Sequence, residues 1–205
     1  MKGMRRLYAV LWCIIWPFFN LVHPCRLVGR ENLPAGGGLF CANHSALNDP
    51  VCLMLALGPR YQLHAMAKAE FMGIPVLGTL LKKAGIFGVS RGKSDVTAIK
   101  TAMRYLKNGE NVLMFPEGTR IKEGVDKYGN ESEAKAGAAM LAMRTGAPLV
   151  PVYIPTKKRW FRFTTMVIGE PYTPQTEGKK ATAEDYQAVA EDLMKRIYDL
   201  ESRAK

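Results

Sequence analysis

The sequence predicts an α/β fold: a single domain with a mixed central sheet flanked by helices, preceded by an N-terminal apolar helical segment that associates with membranes. Short apolar runs of strand length alternate with stretches of helical periodicity. The chain has 205 residues, enough for one domain with a real core. Polar residues also recur directly after three of the strand-like runs, where α/β domains build their sites. The boundary falls after residue 24, giving a segment 1–24 and a folded domain 25–205.

Hydrophobic content of 48% with 23% charged residues is that of a folded protein and argues against disorder. The charge balance is skewed: 29 Lys and Arg against 18 Asp and Glu leave +11, with a pI near 9.6. Such an excess points to a polyanionic partner, whether nucleic acid, a phosphorylated small molecule or an anionic membrane face. Cys13, Cys25, Cys41 and Cys52 show no CxxC spacing and read as thiols in a reducing compartment, with neither disulfides nor a metal site expected.

The first segment carries Lys2, Arg5 and Arg6 ahead of an apolar stretch from Leu7 to Val22. That stretch is shorter than the roughly 20 residues a spanning helix needs, and Pro17 lies inside it. No small-residue cleavage site follows, and Trp12, Trp16, Phe18 and Phe19 suit the headgroup boundary. An in-plane anchor is the expectation, and a helix packed on the core is the alternative.

Residues 31–38 form a loop that ends at a buried strand, Gly38 to Ala42. Asp49-Pro50 reads as the cap and first residue of a helix running to Leu57 and stopped by Gly58-Pro59. Tyr61 to Met66 alternates as a strand. Ala67 to Lys83 is helical in pattern but broken at Gly73-Ile74-Pro75, and Ile86 to Val89 is a short strand leading to Arg91. Ser94 to Leu106 is amphipathic, with Ser94 as cap and Val96, Ile99, Met103 and Leu106 on one face. Asn111 to Phe115 is a buried strand, 121–133 a polar loop, and 134–144 an Ala- and Met-rich helix. Strands follow at 149–154 and 164–168, then a linker over 172–180 and a terminal helix over 182–203.

His44 follows the strand 38–42 and precedes Asp49 by five positions, so the carboxylate can fold back onto the ring. A histidine held in one tautomer that way is suited to take a proton from an alcohol. Arg91 and the stretch Glu117-Gly118-Thr119-Arg120 follow two further strands. Guanidinium forks grip phosphate, and Gly118 lets backbone approach a ligand. Each residue alone also has a structural reading: Asp49 as a helix cap, Arg91 as a turn charge, Glu117 and Arg120 as a local pair. Ser45 sits in no G-x-S-x-G elbow.

In order, Asn43-His44-Ser45-Ala46-Leu47-Asn48-Asp49, Gly85-Ile86-Phe87-Gly88-Val89-Ser90-Arg91, Phe115-Pro116-Glu117-Gly118-Thr119-Arg120 and Ala147-Pro148-Leu149-Val150-Pro151-Val152 resemble the four motif blocks of the glycerolipid acyltransferase family. The likeness is closest to bacterial 1-acyl-sn-glycerol-3-phosphate acyltransferases and covers roughly residues 25 to 170. The second block departs from the usual pattern, with Gly-Val-Ser before Arg91 in place of an aliphatic pair and Asp.

The resemblance implies that 25–205 is a catalytic domain moving a fatty acyl group from a thioester to the sn-2 hydroxyl of lysophosphatidate, forming phosphatidate. It implies His44 as general base, Asp49 as its orienting partner, and Lys68, Arg91, Glu117, Gly118, Thr119 and Arg120 as the binders of glycerol phosphate. No cofactor is expected beyond the cosubstrate, an acyl carrier protein or coenzyme A thioester. Expected partners are these and an anionic phospholipid membrane, not nucleic acid, at the cytoplasmic face of the cell membrane. Two alternatives stay open: acylation of another lysolipid or of glycerol 3-phosphate, and a non-catalytic basic membrane-binding module.

Overall fold

The structure is a computed structural model that describes residues 2–89, 95–121, 125, 134–175 and 181–204, with side chains from Arg6 onward. Seven strands form one sheet in the order β1-β7-β6-β2-β5-β3-β4. They are β1 (Cys25–Val28), β2 (Leu39–Ala42), β3 (Leu63–Lys68), β4 (Phe87–Val89), β5 (Asn111–Met114), β6 (Leu149–Tyr153) and β7 (Thr164–Ile168). All neighbours run parallel except β6 and β7, so the mixed sheet expected from the sequence is present. Central β2 and β6 are buried at every position, as strands covered on both faces must be.

Helices cover both faces. On one side α2 (Asp49–Leu57) sets Cys52, Leu53 and Leu57 against Phe40, Leu63 and Ile168. On the other, α5 (Val96–Lys107), α6 (Gly137–Thr145) and α7 (Ala183–Asp199) pack Ala102, Leu141, Leu193 and Ile197 on Leu39, Val112 and Leu149. Between β3 and β4 lie α3 (Ala69–Met72) and α4 (Leu77–Lys83).

α1 (Lys2–Val22) continues through Pro17. Its inner face docks on α2, with Tyr8 Oη donating to Met54 O at 3.4 Å and Trp12 Nε1 to Leu55 O at 2.9 Å. Its outer face leaves Val10, Ile14, Phe18 and Leu21 exposed, a stripe at helical spacing. Among the described residues no helix is long and apolar enough to cross a membrane.

Several local expectations need correction. β1 is a strand that the sequence does not mark: four residues with Arg26 among them carry no pattern, and pairing with β7 creates it. Ala67 and Lys68 belong to β3, and the broken helix begins at Ala69. The cap of α5 is Asp95, whose carboxylate accepts from Ala98 N at 3.0 Å; Ser94 lies outside the described residues. The buried face of that helix is Ala98, Ala102 and Leu106, while Val96 is exposed, because the alanines let the helix approach the sheet closely. Asp49 lies in the first turn of α2 with Asn48 at the cap position, and neither caps by side chain in the expected way.

Candidate active site

Parallel pairing of β2 with β5 and β6 brings the carboxyl ends of all three strands to one edge. Just past β2, the Asn43 amide clamps the chain to the end of β6. It donates to Ile154 O at 2.8 Å and accepts from Ile154 N at 2.7 Å. His44 follows with its backbone held at both ends: its N–H donates to Glu117 Oε2 at 2.7 Å and its carbonyl accepts from Ile121 N at 2.7 Å. The ring stacks on Phe115, centroids 4.1 Å apart. The backbone contacts fix the position of His44 and the stacking on Phe115 restrains the plane of its ring.

The Nδ1 of His44 lies 2.9 Å from Asp49 Oδ2. A carboxylate there takes the Nδ1 proton and leaves Nε2 as the basic nitrogen of the neutral ring. Nε2 has no hydrogen-bond partner among the described residues. Asp49 Oδ2 also accepts from Ser45 N and Ala46 N, each at 2.7 Å. The carboxylate therefore closes the loop ahead of α2 instead of capping the helix, so loop closure and ring orientation are one contact.

Asp49 is fully buried, and a bare carboxylate there would be costly. Its Oδ1 is met by Lys158, whose ammonium lies 2.5 Å away with its side chain only 6% exposed. The same ammonium reaches Ser45 Oγ at 3.3 Å. Burial pushes the Asp49 carboxyl upward, but the His44 contact, the Lys158 charge and the Ala46 N–H outweigh it, and it stays below the usual carboxylate range. Lys158 escaped the sequence reading. Lys157, Lys158 and Arg159 stand together in the sequence, and nothing local marks the middle one as the residue that turns inward.

Glu117 is buried, and both of its oxygens are engaged within the protein. Oε2 holds His44 N, while Oε1 accepts from Tyr198 Oη at 2.6 Å. Burial raises the Glu117 carboxyl above its ordinary range, with the Tyr198 and His44 hydrogen bonds opposing. Its place is behind the dyad, bracing the His44 loop. Gly118 adopts φ of 68° in the turn whose N–H returns to Phe115 O at 3.0 Å, a conformation that favours glycine. Thr119 is half-buried and Arg120 exposed in the same turn. Lys68 ends β3, exposed, with a loose contact of 4.0 Å to Glu70. Arg91 lies outside the described residues; β4, which leads toward it, ends at Val89.

The structure thus joins His44, Asp49 and Glu117 directly and adds Lys158 and Tyr198. Lys68 is the last residue of β3 and Arg120 follows β5, strands of the same parallel set. Among the described residues no group of three His, Cys, Asp or Glu could hold a metal ion.

The site is that of a parallel-sheet domain with an aspartate-oriented histidine at its carboxyl edge. Among known proteins, the sequence profile described as Acyltransferase matches residues 25–155. The chain is 35% identical over 184 residues to the 1-acyl-sn-glycerol-3-phosphate acyltransferase of Bacillus subtilis, covering 87% of this chain and 88% of that one. It is 33% identical over 157 residues to a chloroplast 1-acyl-sn-glycerol-3-phosphate acyltransferase of Brassica napus, though it spans only 42% of that longer relative. The crystal structure of the 1-acyl-sn-glycerophosphate acyltransferase from Thermotoga maritima superposes with a TM-score of 0.65 at 25% identity, covering 100% of this chain and 80% of the other. The chain belongs to the acyltransferase family.

Proposed function

We propose that the protein esterifies the sn-2 hydroxyl of 1-acylglycerol 3-phosphate with an acyl group from a thioester, producing phosphatidate for phospholipid synthesis. The observation that carries this reading is the 2.9 Å contact between His44 Nδ1 and Asp49, which leaves Nε2 as the base. Nε2 takes the hydroxyl proton as the alcohol oxygen attacks the thioester carbonyl. The tetrahedral intermediate then expels the thiolate, which recovers the proton from the imidazolium. Asp49 stabilises that imidazolium, and Lys158 keeps the carboxylate ionised for the purpose. A base so placed contributes about 10² to 10⁴ in rate. No covalent enzyme intermediate is needed, since the thioester is already activated.

In this reading Lys68, Arg91 and Arg120 meet the acceptor phosphate. An apolar cavity of about 210 Å³ between α1, α2 and α4 supports the reading, since its walls include Tyr8, Trp12, Leu55, Leu77 and Leu81 and it flanks the helix that begins at Asp49. An acyl chain suits such a lining. The exposed stripe of α1 and the net charge of +11 support residence on the anionic, cytoplasmic face of the cell membrane.

Product analysis of the purified chain with lysophosphatidate and matched acyl-carrier-protein and coenzyme A thioesters tests the proposal. Phosphatidate is expected with at least one donor, and His44→Ala should form it at least about 10²-fold more slowly. Acylation of a phosphate-free lysolipid with no product from lysophosphatidate would defeat it.

A further inference from the structure

Between β6 and β7 the chain runs Lys157-Lys158-Arg159-Trp160-Phe161-Arg162-Phe163. Trp160, Phe161 and Phe163 are 69%, 66% and 73% exposed, three large rings within four residues. Exposing that much apolar surface in one short loop is unfavourable in water and marks an interaction site. The backbone is also held in place to do it. Phe161 has φ of 57°, a region that bulky residues rarely occupy and that persists only when the surroundings impose it.

Those surroundings are the end of α1. Phe161 N donates to Val22 O at 2.8 Å, the Trp160 ring meets His23 edge-on at 5.8 Å, and Thr164 N donates to Pro24 O at 2.8 Å. The rings accordingly join the last turn of α1, where Phe18 and Leu21 are also exposed. Leu47, in the loop between His44 and Asp49, is a further exposed apolar residue. Interleaved with the rings are Lys157, Arg159 and Arg162, all exposed, and no acidic residue occurs from 155 to 169. The inward-facing residue of the run, Lys158, is the one bonded to Asp49.

We propose that this loop is a second lipid-docking element, seating Trp160, Phe161 and Phe163 in the interface of an anionic leaflet with Lys157, Arg159 and Arg162 at the lipid phosphates. Indole and phenyl rings flanked by cations are the side chains that this interface favours. An acidic protein partner would account for the cations but not for three projecting rings. With α1, whose end at 22–24 the loop meets, it gives the domain two membrane contacts, which fixes the tilt of the domain and not only its attachment. Since Lys158 ties the loop to Asp49, the docked loop sets the dyad at the height where a membrane-held hydroxyl is presented. The inference rests on the membrane reading above.

The test uses the full chain and vesicles of phosphatidylglycerol and phosphatidylcholine, with partition read by co-sedimentation. Trp160→Ser/Phe161→Ser/Phe163→Ser is expected to lower partition at least about tenfold, the equivalent of 1.4 kcal/mol. Lys157→Gln/Arg159→Gln/Arg162→Gln is expected to lower it roughly fivefold per charge on the anionic vesicles and little on pure phosphatidylcholine. A second measurement covers a variant that fails to fold. Trp12→Phe/Trp16→Phe leaves Trp160 as the sole tryptophan of the three, and brominated acyl chains should quench it. If wild type binds vesicles while Trp160 stays unquenched and the loop variants bind as well as wild type, this inference fails and the membrane reading stands. If wild type itself does not bind, both fail. Trp160 emission that responds to acyl carrier protein and not to lipid would also overturn it.

Discussion

Replacing Lys158 with Met removes a cation while nearly keeping its volume. The side chain is 6% exposed and its partner Asp49 fully buried, so the variant leaves a carboxylate in the interior with Oδ1 unmet. Breaking a buried pair from one side costs about 3–5 kcal/mol. Here Oδ2 keeps its three donors, His44 Nδ1, Ser45 N and Ala46 N, so the lower end applies, about 3 kcal/mol. For a domain of this size each kcal/mol moves the melting temperature by about 2–4 °C, giving a fall of about 6–12 °C at neutral pH. The pH dependence follows from the depressed Asp49 carboxyl. A group whose folded pKa lies below its unfolded value stabilises the protein above that unfolded value, near 3.9, and the stabilisation is lost as pH falls through the folded pKa. Without Lys158 one cause of the depression is gone, so Asp49 should lose its contribution at a higher pH than in wild type. Melting curves by circular dichroism from neutral pH into acid, for wild type, Lys158→Met, Asp49→Asn and the double variant, measure both effects. The double variant should be clearly less destabilised than the sum of the singles, since each removes the same interaction. Strict additivity, or a Lys158→Met melting temperature within about 2 °C of wild type, would refute the pairing argument.

Three further outcomes are expected. His44→Ala should lower kcat/KM by at least about 10² with vesicle partition retained, as the proposed role of the ring as base requires; unchanged turnover would remove it from the mechanism. Glu117→Gln should stay folded, because an amide can accept from His44 N and donate to Tyr198 Oη. As the Glu117 carboxyl is raised by burial, wild type gives up stability as pH climbs from its unfolded value near 4.3 through the raised one, so Glu117→Gln should gain on wild type over that window in paired melts. His64→Ala should destabilise by about 3 kcal/mol in urea unfolding while kcat of the folded fraction is unchanged. Its ring sits between Gly85 O and Glu110 Oε2, 2.9 Å from each, and stacks on Tyr105, at the end of the sheet opposite the dyad.

Much of the molecule is legible from local pattern. Six of the seven strands announce themselves as apolar runs, and the α7 start is written in Thr182 and Asp185, which form a reciprocal capping box. The pairing of His44 with Asp49 is equally local, since the four residues between them can close only a short span. What a linear reading misses are features that exist through long-range contact. β1 becomes a strand by lying against β7, and Asp49 closes a loop where its neighbour Pro50 suggests a cap. Glu117 reads as a ligand-facing acid until Tyr198, 81 residues on, occupies one oxygen and His44 N, 73 residues before, the other.

By itself, then, the sequence determined the α/β class, the pairing of His44 with Asp49, and the motif order that places the chain in its family, because periodicity and loop chemistry act over a few residues. Only the tertiary structure decided which cation enters the site. Lys157, Lys158 and Arg159 are three adjacent cations that no local pattern ranks, and the choice falls on Lys158 because the end of β6 lies beside the end of β2. Parallel pairing brings Lys158 to Ser45 across 113 residues, against the fully buried carboxylate of Asp49, whose desolvation it offsets.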